Sequence, residues 1–331
     1  MQYGKFGRTG LTVSHICLGT MTFGLQTEEA GSHAILDKAA EGGVTLIDTA
    51  DVYPLGGGEQ LAGTTEDIIG RWLKGKRHNF ILATKAVGKV GPAVWNQGSS
   101  RKHLLDAIDA SLKRLGTDYV DLYQLHSDDR DTPIDEMLEA MDSIVKSGKA
   151  RYIGVSNYLA YRLARALGRA DVLRLARFVS VQPRYNLLFR QIERELLPLS
   201  AEEGLAVIPY NPMAGGLLTG KYRHDQKPNE GRFTAAVGNA GAMYAERYWH
   251  EREFETIERL SGIAKEAGHS LAQLSIAWVM ANPTISSAIV GASRAEQLTE
   301  TLAAADIQLD AALKAKLDDV TVEYRWGDAA R

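Results

Sequence analysis

The feature that most constrains this chain is a recurring pattern rather than a recurring sequence. A short apolar run, a polar loop and a longer stretch with an apolar face at helical spacing follow one another eight times. The pattern predicts strands at Ile16–Leu18, Thr45–Ile47, Phe80–Thr84, Tyr119–Leu125, Arg151–Val155, Phe178–Val181, Ala206–Pro209 and Ser286–Val290. It predicts helices at Glu28–Glu41, Thr64–Lys74, Arg101–Leu115, Ile134–Lys146, Leu159–Leu167, Gln191–Glu203, Phe254–Ala267 and Arg294–Ala305. Strand–helix alternation selects a parallel sheet. Eight units in 331 residues suit an α/β fold of the (β/α)8 TIM-barrel type, with residues 1–331 as one domain. A short hairpin is expected over Tyr3–Val13, turning at Arg8-Thr-Gly10. An open doubly wound sheet is the alternative; against it, no G-x-G-x-x-G follows the first strand.

Two predicted connections are long, which in a compact domain points to function. Val87–Ser100 follows the third strand, and Gly215–Arg252 follows the seventh with room for a short extra helix. The Gly56–Gly58 run lacks the Lys-Ser/Thr of a phosphate loop and reads as a flexible connector.

Composition narrows the function. A formal net charge of -3 and the lack of basic runs interleaved with aromatics give no field for a nucleic-acid backbone. No signal-peptide core opens the sequence and no 18 apolar residues run together, so a cytoplasmic protein with no membrane partner is expected. Cys17 is the sole cysteine, which excludes an intrachain disulfide and a cysteine-based metal cluster; its apolar neighbours suggest a buried structural thiol.

In a barrel of this kind, chemistry gathers at the C-terminal ends of the strands. Asp48 ends the second, Lys85 the third and His126 the fourth, with Tyr53 in the loop just beyond Asp48. Singly, such a histidine is usually a structural hydrogen-bonding residue and such a lysine reaches for solvent. Three consecutive strands closing on Asp, Lys and His beside a phenol suit general acid catalysis instead. Free Tyr titrates near ~10, and lowering that by ~2 units requires ~2.7 kcal/mol of preference for the phenolate. A lysine cation ~4 Å away is worth ~4 kcal/mol at an effective dielectric of ~20. Lys85 could supply it, with Asp48 as counter-ion. A neutral His126 would hold the substrate oxygen against Tyr53. This machinery suits carbonyl reduction with hydride from a cofactor, and no metal site is evident in the sequence.

Segments in order along nearly the whole chain resemble the aldo-keto reductases: Ile16-Cys-Leu-Gly-Thr-Met21, Leu46-Ile-Asp-Thr-Ala-Asp-Val-Tyr53, Ala83-Thr-Lys85, Asp121-Leu-Tyr-Gln-Leu-His126, Gly154-Val-Ser-Asn157, Gln182-Pro-Arg-Tyr-Asn186, Gly215-Gly-Leu-Leu-Thr-Gly-Lys-Tyr222 and Ile289-Val-Gly-Ala-Ser-Arg294. The wording is most similar to the branch holding potassium-channel β-subunits and general bacterial reductases. The resemblance implies a catalytic tetrad at Asp48, Tyr53, Lys85 and His126. It also implies a site for NADP(H). Ser156, Asn157 and Gln182 would bond the nicotinamide amide, and Tyr210 would stack on its ring. Asn211, Pro212, Met213, Ala214, Gly215 and Lys221 would wrap the pyrophosphate. Gly291, Ser293, Arg294 and Gln297 would open the last helix against a 2′-phosphate, which favours NADPH over NADH. The implied contacts further take in Gly19, Thr20, Met21, Asp48, Arg232 and Glu300.

The chain departs from the family pattern at Thr301, where many relatives have Asn, at Met21, where several have Trp, and in a longer loop after Tyr53. Phe23, Trp95 and Trp249 are candidates for an apolar substrate pocket, with Tyr158 and Trp326 as further ones. The expected activity is reduction of an aldehyde or ketone, on a small carbonyl or sugar. The alternatives are a redox-sensing NADPH-binding regulatory subunit and a sugar or polyol dehydrogenase working oxidatively. Substrate and oligomeric state are not legible in the sequence.

Overall fold

Residues 1–226, 228–229, 231–234 and 239–326 are described by a computed structural model. Side-chain alternation along very short strands sets the architecture. Eight strands run parallel: β3 (Ile16–Gly19), β4 (Leu46–Asp48), β5 (Ile81–Ala86), β6 (Val120–Leu125), β7 (Ala150–Ser156), β8 (Phe178–Gln182), β9 (Ala206–Val207) and β10 (Ala288–Val290). They neighbour one another in the order β10-β3-β4-β5-β6-β7-β8-β9. The last gap closes where Val207 faces Ile285 and Tyr210 faces Ile289. There the Ser286 and Ile289 amides donate to the carbonyls of Val207 and Pro209, both at 2.9 Å. The result is the (β/α)8 barrel the sequence predicts.

Cys17, Leu46, Ala83, Leu122, Ala206, Ile208 and Ile289 pack together inside the barrel. Their neighbours Leu18, Ile47, Leu82, Tyr123, Ile153 and Val181 belong to the outer core beneath the helices. With a period of two, the inward rank continues along the strands to Asp48, Lys85, Gln124, Ser156 and Gln182.

The expected hairpin is present: β1 (Tyr3–Lys5) and β2 (Thr12–Ser14) pair antiparallel, Tyr3 opposite Ser14. It lays Phe6 and Val13 against the inner layer at the strands' N-terminal ends. Gly7 lets it approach, having a φ of 56° at a place where a Cβ would lie 2.5 Å from the Ala206 amide nitrogen.

Helices α1 (Glu29–Glu41), α2 (Thr64–Leu73), α3 (Arg101–Leu115), α4 (Ile134–Lys146), α5 (Ala160–Leu173) and α6 (Leu196–Glu203) connect the successive strands from β3 to β9 and flank them. In α3 the Ser100 hydroxyl caps the His103 amide, Gly116 ends the helix in the left-handed region, and Leu104, Ala107, Ile108, Leu112 and Leu115 form its buried stripe. The residues that begin the predicted sixth helix instead form a separate short turn of 3-10 helix at Gln191–Glu193.

After β9 the chain makes α7 (Asn239–Tyr248), α8 (Glu251–Glu266) and α9 (Leu271–Met280); after β10 it makes α10 (Gln297–Ala303) and α11 (Ala311–Val320). Helix α7 is the extra helix expected in the seventh loop, whose residues 227, 230 and 235–238 lie outside the described ones. Helices α9 and α11 were not anticipated. The stretch forming α9 is buried on nearly every side, so it carries no amphipathic rhythm; its sequence signal is the capping box of Ser270 and Gln273. No helix among the described residues is long and apolar enough to cross a membrane.

Phe6→Ala should destabilise the fold by about 3–5 kcal/mol, as emptying a buried aromatic site does. Urea unfolding followed by circular dichroism measures this, and a loss below about 1 kcal/mol would mean the hairpin does not seal the barrel.

Candidate active site

At the C-terminal end of the barrel the inward residues change from apolar to polar. Lys85, with no exposed surface, donates to Asp48 Oδ2 at 2.5 Å and to the Thr49 carbonyl at 2.8 Å. Its Nζ also lies 3.5 Å from the Tyr53 hydroxyl. The other Asp48 oxygen accepts from Gln124 Nε2 at 3.1 Å and Gln182 Nε2 at 2.8 Å. Both carboxylate oxygens are therefore satisfied, which a buried ion pair requires. Gln124 was not singled out in the sequence, where it reads as one more strand residue. Its signal is position: counting by twos along β6 from buried Leu122 leads through Gln124 to His126.

Tyr53 reaches the site through a loop that keeps the sheet's hydrogen bonding. The amides of Thr49 and Asp51 donate to the Ala83 and Lys85 carbonyls at 2.9 and 3.0 Å. The Tyr53 and His126 rings meet edge to face, their centroids 5.6 Å apart. Burial raises the Tyr53 phenol above its ordinary range; Lys85 opposes this without overcoming it, and Asp48 adds to it. The expected lowering of the phenol is thus outweighed, because the hydroxyl gives up its water. Burial alone would depress the Lys85 ammonium, but Asp48 and Tyr53 more than compensate and its pKa is raised. His126 is lowered to about 3 by burial and then by Lys85, so its imidazole is neutral at physiological pH.

Asp48, Tyr53 and His126 open onto a cavity of about 500 Å³, with Lys85 behind them. Gly19, Thr20, Met21, Ser156, Asn157, Gln182 and Tyr210 line the same cavity. The group expected to hold an amide is already tied together. Asn157 Nδ2 donates to the His126 carbonyl at 2.9 Å, Tyr210 Oη to Asn157 Oδ1 at 2.8 Å, and Ser156 Oγ to the Gln182 carbonyl at 2.9 Å.

Asn211, Pro212, Met213, Gly215, Lys221, Arg232, Gly291, Ser293, Arg294, Gln297, Glu300 and Thr301 also line the cavity, whereas Ala214 is buried off its wall. Arg232 donates to Asn211 Oδ1 and to the Tyr244 hydroxyl, each at 3.2 Å. A Cβ on Gly291 would lie 3.1 Å from Arg232 Nη2, so this guanidinium crosses to the β10 side. Asn211 Nδ2 is buried without a hydrogen-bond partner among the described residues, and Gly215 and Gly216 have φ of 71° and 101°. An orphaned donor, cations and left-handed glycines along one groove fit a phosphate-bearing ligand.

One expectation is corrected here. Helix α10, the last that the sequence pattern predicts, begins at Gln297 and not at Arg294, and Ser293 and Arg294 lie in the turn before it. Gln297 Oε1 accepts the Ser293 amide at 2.9 Å, so that amide is satisfied within the turn. The three aromatic pocket candidates are corrected as well. Phe23 is fully buried, Trp95 is 54% exposed, and Trp249 packs among Tyr222, Phe233 and Phe254; none lines the cavity. Of the two further candidates, Tyr158 is buried beside Phe178 and Trp326 is exposed, and neither lines it. Residue type identified their bulk but not their direction. Met21, Leu55 and Met243 supply apolar wall, and Tyr244 and Arg247 of α7 join it, none of the last four singled out in the sequence.

The sequence pattern of the Aldo/keto reductase family matches residues 15–321. The chain belongs to that family. It is 39% identical to a Bacillus subtilis protein named as the uncharacterized oxidoreductase YrpG, over 97% of this chain and 96% of that one. It is 38% identical to a probable voltage-gated potassium channel subunit beta of Arabidopsis thaliana, over 93% and 92%. With the L-glyceraldehyde 3-phosphate reductase of Escherichia coli K12 it shares 34% identity, over 92% and 87%. Membership of the aldo/keto reductases makes the chain an oxidoreductase and supports carbonyl chemistry in general.

The depressed His126 gives a stability test with a definite sign. An unfolded chain takes up a proton near ~6.5, the folded one only near 3, so stability is lost as pH falls through that window. Between pH 7 and 5 this residue should cost about 2 kcal/mol. His126→Gln should remove that part of the slope in urea unfolding; an identical slope would mean the imidazole titrates as if exposed.

Proposed function

We propose that this chain is an NADPH-dependent reductase of aldehydes or ketones, with Tyr53 as general acid. The observation that carries the reading is the buried Lys85–Asp48 ion pair beneath the Tyr53 phenol, with a neutral imidazole across from it. The nicotinamide cofactor, when bound, supplies the hydride that reduces the carbonyl carbon. Ser156, Asn157, Gln182 and Tyr210 would hold its amide end, and Asn211, Lys221, Arg232, Ser293 and Arg294 its phosphates.

Everything else falls to the chain's own groups. Because its pKa is raised, Tyr53 carries its proton at neutral pH, as an acid must. As negative charge gathers on the carbonyl oxygen, Tyr53 Oη gives that proton to it. The phenolate left behind faces Lys85, whose attraction grows as the charge forms. Asp48, held by Gln124 and Gln182, keeps the ammonium aimed. His126 donates a hydrogen bond to the same oxygen. The likeness to a plant protein named as a channel subunit favours a second reading, a nucleotide-bound regulatory subunit. Turnover separates the two.

Tyr53→Phe should lower reduction of a simple aldehyde by about 10²–10⁴-fold. Its NADPH affinity, read by tryptophan fluorescence, should stay within about threefold; unchanged turnover would end this mechanism. Arg294→Ala should weaken NADPH far more than NADH in the same titration, and equal losses would place the 2′-phosphate elsewhere.

A further inference from the structure

Among the described residues that line the cavity, one cation is left unused by the reading above. Arg247 projects from α7 on the face that also presents Met243 and Tyr244 to the cavity. It is half-buried, whereas Lys221 and Arg294 are exposed. Among the described residues it has no hydrogen-bond, ion-pair or ring partner. None of its nitrogens is among the buried unpartnered atoms, so the guanidinium keeps access to the cavity's interior, where an entering anion could meet it. The carboxylates lining the cavity cannot provide a counter-charge: Asp48 is taken by Lys85, and Glu300 belongs to α10.

Arg247 lies one turn of α7 beyond Tyr244, whose hydroxyl meets Arg232 and Asn211, and its field reaches Tyr210. After burial, which raises the Tyr210 phenol, the largest influence on it is the opposing field of Arg247, followed by Arg184; Tyr53 also acts on it. That phenol donates to Asn157, which is tied in turn to the His126 carbonyl. Arg247 therefore acts on the end of the cavity where the carbonyl would react. Arg232, by contrast, reaches over Gly291 toward the turn that carries Ser293 and Arg294. Lys221, Arg232 and Arg294 are as many cations as NADPH has phosphate groups, which leaves Arg247 for another anion.

We propose that Arg247 is a specificity-determining residue that receives an anionic group, a carboxylate or a phosphate, on the aldehyde or ketone substrate. This rests on the reductase reading and narrows it to acidic carbonyl compounds. Met243 stands one turn before Arg247 on α7, and Met21 and Leu55 add apolar lining to the same cavity, a setting in which an ion pair gains strength as water is excluded. A planar guanidinium can bond either anion with two parallel N–H groups.

The test uses matched pairs with saturating NADPH: 4-carboxybenzaldehyde against its methyl ester, and glyceraldehyde 3-phosphate against glyceraldehyde. For each pair the ratio of kcat/KM, charged over neutral, is measured in the wild type, Arg247→Gln and Arg247→Lys. The wild type should favour the charged member of at least one pair, and the responding pair names the anion. Arg247→Gln should cut that ratio about 10- to 100-fold, mainly through KM, which is the range of one charge-assisted contact. Arg247→Lys should recover part of it. A ratio near one in the wild type, or one that Arg247→Gln leaves in place, overturns the proposal while turnover of the neutral aldehydes keeps the reductase reading alive. Equal losses for both members with weakened NADPH binding also overturn it, by assigning Arg247 to the cofactor. Turnover of none of the four overturns both readings together.

Discussion

Lys85 Nζ lies 2.5 Å from Asp48 Oδ2 with both side chains almost entirely out of water, and that ion pair sets the terms for what surrounds it. Taking two charges out of water costs several kcal/mol each unless their remaining bonding capacity is met. Here it is met from four directions: Thr49 offers a carbonyl, Gln124 and Gln182 offer amide donors, and Tyr53 stands above the ammonium. These partners come from β4 and its loop, β6 and β8. The pair can be maintained only if the barrel holds those strands in register. The dependence is mutual, since an arrangement that lost one glutamine would leave a buried carboxylate oxygen short of a donor.

The charge state of the groups around the ion pair follows from burial and from the Lys85 cation. His126 is neutral because it is buried and faces the Lys85 cation. Tyr53 is neutral because burial outweighs the same cation. Asp51, in the loop between Asp48 and Tyr53, is buried with no hydrogen-bond partner for either oxygen among the described residues, and burial followed by Glu66 raises its pKa well above the ordinary carboxylate value. Glu66 differs because Arg114 pairs with it at 2.6 Å and Thr84 donates to it at 2.5 Å. The Lys85–Asp48 pair thus sits beside a neutral phenol and a neutral imidazole, a setting in which new charge on a substrate oxygen would be strongly felt.

Much of this was legible in the sequence, for reasons that can be named. Short apolar runs recurring with helical stretches demanded a parallel sheet, and the barrel followed from their number. Asp48, Lys85 and His126 were visible because each ends a strand, where only one direction is available to a side chain. What was not legible depended on direction or on partners. Trp95 and Trp249 looked like pocket walls because aromatic bulk is conspicuous, yet one lies exposed and the other packs against its own loop. Gln124 was hidden because an amide in a strand has no meaning until its acceptor is known. Asp48 and Asp51 sit three positions apart, and nothing in their residue type says that one is ion-paired and the other buried without a hydrogen-bond partner among the described residues. Helix α9 was missed because burial on nearly all sides erases the periodicity by which helices are read.

The seventh loop shows why the site cannot be understood as strand ends alone. Asn211, just after β9, is held at φ 59° and accepts from both Arg232 and Tyr244, which lie far along the same connection. Asn186, after β8, donates to the Asn211 carbonyl and to the Tyr248 hydroxyl at the end of α7. Helix α7 is thereby fastened to the rim of the barrel at two points a turn apart, Tyr244 and Tyr248. With those two phenols fixed, the helix has little freedom to rotate, and the neighbouring Met243 and Arg247 are left facing the cavity. The strands supply the reactive groups, but the hydrogen bonds that anchor this one helix decide which side chains stand opposite them. On the proposed reading the barrel would set the reaction type, whereas the choice of substrate would follow from how the seventh loop is tied down.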